Sequence, residues 1–138
     1  MAQTPTADPG KRILLHAGQS GGAVSIVESA MPAGAAGPPL HLHDFDEAFY
    51  VLEGEITVRL GDAVRTFGPG ELAFAPRAVA HTLANPARVA ARYLIVCTPA
   101  GFERRLARRA AEEAGAEPPD WALGPAPEVT YVGGRIGG

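Results

Sequence analysis

Cysteine is almost absent from this chain, and the single Cys97 rules out an internal disulfide framework. A reducing, cytoplasmic setting is the expectation that follows. Aromatic residues make up only 7% of the sequence, with one tryptophan. Charge of one sign is also lacking: 12 basic against 15 acidic side chains leave a net charge of -3, which gives no general attraction for nucleic acid or an anionic membrane. No apolar run reaches the length of a spanning helix, and the amino end lacks the charged-then-apolar pattern of a secretion signal.

Glycine and proline, by contrast, are plentiful at 17 and 13, which suits many short strands joined by turns better than a helical bundle. In 138 residues there is room for one domain with a real core. Residues 1–10 are small, polar and turn-rich and read as a flexible leader. From Lys11 to Thr98 short apolar runs recur at 12–16, 22–31, 40–43, 46–53, 55–60, 63–67, 71–75, 80–84 and 88–98, with no helix expected between them. Turn formers separate them, among them Gly61-Asp62, a two-residue hairpin signal, and Gly68-Pro69-Gly70. Alternation of inward and outward residues is read at Ile56, Val58 and Leu60, and at Val89, Ala91, Tyr93 and Ile95. An all-β sandwich or barrel over 11–98 is the expected fold class. Residues 99–138 form a C-terminal segment. It holds the one convincing helix, Gly101–Ala114, ended by Gly115, then a proline-rich tail whose Val129–Val132 stretch suits an edge strand. Arg104, Arg105, Arg108 and Arg109, interleaved with Glu103, Glu112 and Glu113, read as a solvated helix face.

The chemistry-bearing residues fall in two clusters. His41 and His43 are two apart, so on an extended strand both imidazoles leave one face, and Glu47 shares their parity. That arrangement offers two coplanar rings and a carboxylate, and His81 arrives from another strand. Three imidazoles and one carboxylate can hold one divalent transition metal, with Fe, Mn, Ni, Zn and Cu all compatible. Glu47 is a ligand that balances charge and is also the candidate general base. By parity Phe49, Val51, Phe74, Leu83, Tyr93 and Ile95 face the interior, and Phe49, Phe74 and Tyr93 are the expected substrate-binding walls. Asn85 before Pro86 reads as a turn-closing residue, Cys97 as a buried small hydrophobe, and His16 as a surface or edge residue. Trp121 is expected to anchor the tail onto the barrel or a partner.

The patterns His41-x-His43-x3-Glu47-x6-Gly54 and Gly70-x5-Pro76-x4-His81-x3-Asn85 resemble the two motifs of the cupin superfamily, over residues 12–98. The resemblance implies a double-stranded β-helix, or jelly-roll, with His41, His43, Glu47 and His81 as metal ligands inside it. Two positions depart from the pattern: Ala78 stands where glycine is usual, and position 35 is alanine, with Gly34 and Gly37 on either side. The exit Thr98-Pro99-Ala100-Gly101-Phe102-Glu103 and the stretch Pro39–Gly54 are most similar to small quercetin 2,3-dioxygenase-like cupins. A metal-dependent dioxygenase acting on an enol- or phenol-bearing, anionic or aromatic small molecule is therefore expected. A non-redox isomerase, lyase or cyclase, and a non-catalytic small-molecule binder, are the alternatives. Outward apolar residues such as Tyr50, Leu52, Leu94 and Val96 favour a homodimer.

Overall fold

The computed structural model describes residues 10–137, so the leader expected over 1–10 lies outside the described residues except for Gly10. Ten strands pair into two antiparallel sheets of five. They are β1 (Lys11–Leu15), β2 (Ser25–Met31), β3 (His41–Leu42), β4 (Asp46–Glu53), β5 (Ile56–Leu60), β6 (Ala63–Phe67), β7 (Leu72–Ala75), β8 (His81–Ala84), β9 (Ala91–Thr98) and β10 (Thr130–Tyr131). The first sheet runs β1-β2-β9-β4-β7 and the second β10-β3-β8-β5-β6. This is the jelly-roll arrangement, with the core between the two inner faces.

Strand alternation places the core. On β2, Ser25, Val27, Ser29 and Met31 are buried; on β4, Glu47, Phe49 and Val51; on β9, Ala91, Tyr93, Ile95 and Cys97. Val89 breaks the expected alternation, because β9 begins at Ala91 and Val89 is exposed in the preceding loop. The Gly61-Asp62 turn joins β5 to β6 with Leu60 opposite Ala63, and Gly61 takes φ 58°.

Phe74 corrects a second expectation. It lies opposite Ala48 in the β4–β7 ladder and is 49% exposed, so it faces outward. Inward positions of the short β7 are Ala73 and Ala75, since side chains alternate across a strand. Phe74 joins Tyr50 and Leu72 on an apolar outer face of the first sheet.

Two helices flank the sheets. The four-residue α1 (Ala17–Ser20), which the strand-like pattern concealed, is capped by His16, whose Nδ1 accepts from the Gly18 amide at 3.1 Å. The long α2 (Phe102–Ala114) ends at Gly115 in the left-handed conformation. Glu103 is not part of a solvated face. It is fully buried, and its two oxygens accept from the Gly101 and Ala17 amides at 2.7 and 2.6 Å, tying the starts of both helices together. Trp121 stacks on His16 with ring centroids 4.4 Å apart, so the tail is anchored on the same chain.

Asn85 is fully buried. Its amide nitrogen donates to the Met31, Pro32 and Val89 carbonyls, and its side-chain oxygen accepts from the Ala87 amide. One side chain thus satisfies a loop crossing that strands cannot.

Candidate metal centre

The ligating residues come from both sheets. His41 opens β3, His43 follows its end, and His81 opens β8, all in the second sheet or at its edge; Glu47 sits on β4 in the first. Glu47 lies near the start of the next strand, as its spacing implies, but that strand belongs to the other sheet, so shared parity does not put the three residues on one face. The chain turns between β3 and β4, and the carboxylate reaches the histidines across the interior. The His41 and His43 rings are tilted by 44° rather than coplanar.

Their donor atoms nevertheless converge, all lying within 4.8 Å of one another with all four residues buried. Each Nδ1 is bonded to a backbone carbonyl: His41 to Pro39 at 2.8 Å, His43 to Phe45 at 3.0 Å and His81 to Val79 at 2.9 Å. A carbonyl can only accept, so Nδ1 must carry the proton and Nε2 is the atom presented to the centre. Glu47 Oε1 meets Nε2 of His43 at 2.8 Å and of His81 at 3.1 Å. Such contacts are hydrogen bonds only while a ring holds a second proton on Nε2, and a divalent cation takes the place of such protons. The donor set fits a divalent transition metal: three neutral imidazoles and one carboxylate, each ring pre-oriented by a carbonyl.

The surrounding charges agree. Burial alone would raise the Glu47 carboxyl, but hydrogen bonds from His43 and His81 outweigh it and hold its pKa below the ordinary value. Burial likewise opposes protonation of His81, yet the Glu47 carboxylate and the Val79 carbonyl leave its pKa raised. His41, which makes no hydrogen bond to the carboxylate, is lowered chiefly by burial. Burial also pushes the Cys97 thiol well up, so it is an inert core residue rather than a nucleophile.

Local structure holds these side chains in place. The loop before β8 is knitted to the β3–β4 connection by the Ala78 amide on the His43 carbonyl and the Arg77 amide on Asp46, both at 2.8 Å. Ala78 sits there at φ 64°, a conformation that disfavours any residue with a Cβ. Gly37 is required elsewhere, since a Cβ there would lie 1.6 Å from the Leu83 carbonyl oxygen.

A cavity of about 920 Å³ opens onto the cluster. His41 and Glu47 line it, with Phe49, Tyr93, Leu83 and Ile95 as walls. Of the three expected substrate-binding residues, Phe49 and Tyr93 are present and Phe74 is on the opposite face. Sequence reasoning missed the contribution of the C-terminal segment: Phe102, Arg105, Leu106, Arg109, Tyr131 and Arg135 also line the cavity. The signal was available as a spacing of three, four and seven from Phe102 along α2.

The Cupin domain family matches residues 27–97, about half of the chain. No functionally curated protein matches. Among solved structures, TT1209 from Thermus thermophilus is 32% identical with a TM-score of 0.53, covering 56% of this chain and 74% of its own. A sugar phosphate isomerase from Silicibacter pomeroyi is 25% identical with a TM-score of 0.53, over 69% of this chain and 66% of that one. KdgF from Halomonas sp. is 21% identical with a TM-score of 0.60, covering 75% and 90%, a likeness of fold. With both motifs in place and two antiparallel sheets enclosing the three histidines and Glu47, this chain belongs to the cupin family.

Proposed function

We propose that the protein is a divalent-metal enzyme acting on an enol- or phenol-bearing small molecule taken into the cavity. The observation that carries this reading is the convergence of three imidazole nitrogens and one carboxylate beside a cavity of about 920 Å³. A bound ion would supply Lewis acidity toward a substrate oxygen and, if redox-active, access to dioxygen chemistry. The residues do the rest. His41, His43 and His81 would hold the ion through Nε2, and the carbonyls of Pro39, Phe45 and Val79 keep their rings from turning. Glu47 would cancel one of the two charges, leaving the site attractive to an anionic oxygen. Its Oε1 meets Nε2 of both His43 and His81, so charge balance as a fourth ligand is the duty we assign it, ahead of base catalysis. Phe49 and Tyr93, packed edge to face at 6.3 Å, would form an aromatic wall for the substrate body.

Two reaction types share this site. Oxygenation is what the likeness to quercetin dioxygenase-like cupins implies. Isomerase or lyase chemistry is favoured by one observation, that a similar solved protein is a sugar phosphate isomerase. Oxygen uptake by protein reconstituted with iron(II), nickel or manganese and given an enolisable substrate such as a flavonol tests the first. Chelator-sensitive turnover that is indifferent to oxygen would replace it with the second. Binding with no product under either gas would reduce the protein to a small-molecule binder.

A further inference from the structure

We infer that the mouth of the cavity is an oxyanion clamp built from Arg105, Arg109 and Arg135, and that its ligand has an anionic head, an apolar body and a far end reaching the metal cluster. The placing of that far end rests on the metal-enzyme reading; the clamp itself does not.

Phe102, Arg105, Leu106 and Arg109 all line the cavity and lie on one face of α2. The Phe102 ring is 6.2 Å from the His43 ring, so this end of the helix adjoins the cluster. At 1.5 Å per residue, Arg105 stands about 4.5 Å and Arg109 about 10 Å farther along the axis. The helix therefore presents apolar contact near the ligating residues and positive charge toward the solvent.

The arginines of α2 divide by face. Arg104 donates to the Trp121 and Pro125 carbonyls and Arg108 to the Gly124 carbonyl, so these two fasten the tail. Among the described residues, Arg105 and Arg109 meet neither a carboxylate nor a carbonyl. Arg135 also lines the cavity, and its Nε donates to the Gly37 carbonyl at 3.0 Å, which fixes the side chain and leaves its terminal nitrogens available. Among the described residues, the only carboxylate lining the cavity is Glu47, and its Oε1 is already engaged by His43 and His81.

Arg105 is half-buried and Arg109 and Arg135 are exposed. Guanidinium groups lining one cavity repel one another unless an anion joins them, and their planar forks match carboxylate, phosphate or sulfonate oxygens. The cavity is also lined by Met31, Phe49, Leu83, Ile95 and Leu106, which suit an apolar or aromatic body.

A matched pair of fluorescent probes tests the clamp. Anilinonaphthalene sulfonate and neutral phenylnaphthylamine share an aromatic body and differ in the anionic group. The wild-type protein should bind the sulfonate about ten-fold more tightly than the neutral probe, with the preference shrinking in salt. The double variant Arg105→Gln/Arg109→Gln should lose that preference while holding the neutral probe unchanged, and Arg105→Lys/Arg109→Lys should recover part of it. Displacement by naphthyl phosphate and by naphthoate ranks the head groups. Equal loss of both probes, an unchanged sulfonate affinity, or displacement by neither anion would overturn the proposal. Metal content, measured separately by elemental analysis, reports on the cluster, so failure of one reading leaves the other standing.

Discussion

His41 and His81 stand directly opposite one another on β3 and β8, with ring centroids 4.5 Å apart. A cross-strand pair of this kind is fixed by backbone register, so the spacing of two ligand positions is set before any metal arrives. Glu47 then crosses from the other sheet to complete the set.

Removing one ring should empty the centre. His43→Ala or His81→Ala is expected to weaken zinc or nickel binding by more than about 100-fold, because losing a mere outer-shell partner already costs about 10–100-fold. Elemental analysis after dialysis checks this, and wild-type stoichiometry in either variant would refute the ligand assignment. Far-UV circular dichroism should stay unchanged, since the core between two five-stranded sheets does not depend on the ion.

The effect of metal on thermal stability should grow with pH. In the metal-free protein the raised His81 stabilises fully below 6.5 and loses its contribution as pH climbs through its folded pKa. The lowered His41 acts oppositely, its contribution being present above 6.5 and lost as pH falls through its folded pKa. Glu47 contributes above 4.5 and loses its part as pH drops through its depressed pKa. Metal competes with protons at the same nitrogens, so the Tm gain on adding zinc should increase from about pH 5 to about pH 8. A gain that is flat or falls over this range would count against the site.

Ala78→Gly should stabilise the protein. Ala78 holds φ 64°, and releasing a Cβ from that region recovers about 1 kcal/mol after glycine's entropy is counted. Gly54→Ala should do the reverse and more strongly, because its φ is 70° and the new Cβ would lie 2.5 Å from the Ala90 carbonyl oxygen. Denaturant titration of both variants measures the two signs.

Asn85→Ala should cost about 3 kcal/mol, since it strips donors from three carbonyls and an acceptor from one amide in a fully buried place. A fall in Tm of about 10 °C is the expected reading; a loss under about 1 kcal/mol would mean that water replaces the side chain.

The outer face of the first sheet, where Tyr50, Leu72 and Phe74 are 37%, 52% and 49% exposed, is proposed to pair two copies of the chain. Light scattering should give a dimer for the wild type and a monomer for Phe74→Glu. A wild-type monomer would dismiss the pairing.

Much of this architecture was legible in the sequence. Nine apolar runs became β1 to β9 with small shifts at their ends, because turn residues such as Gly61-Asp62 leave few alternatives for the chain. The four candidate ligands were legible too, from type and spacing. Phe74 was misplaced because a strand as short as β7 offers two apolar residues on each parity, and only its pairing with Ala48 decides which faces in. Glu103 was misread for a different reason: its partners, the Gly101 and Ala17 amides, are backbone groups, which leave no trace in side-chain pattern. Arg105 and Arg109 were hidden among arginines whose separate faces emerge only when the tail is seen against α2.

The tail also bears on how such a protein can change over evolutionary time. Tyr131 pairs with His41 in the β10–β3 ladder, and Arg135 reaches back to Gly37, yet both lie beyond the segment that the family shares. Under the proposed clamp, substitutions near the carboxyl end would alter the lining of the cavity while the strands carrying the histidines stay untouched. A chimera that exchanged only the C-terminal segment between relatives would keep the histidine cluster of one parent and take the cavity-lining arginines of the other.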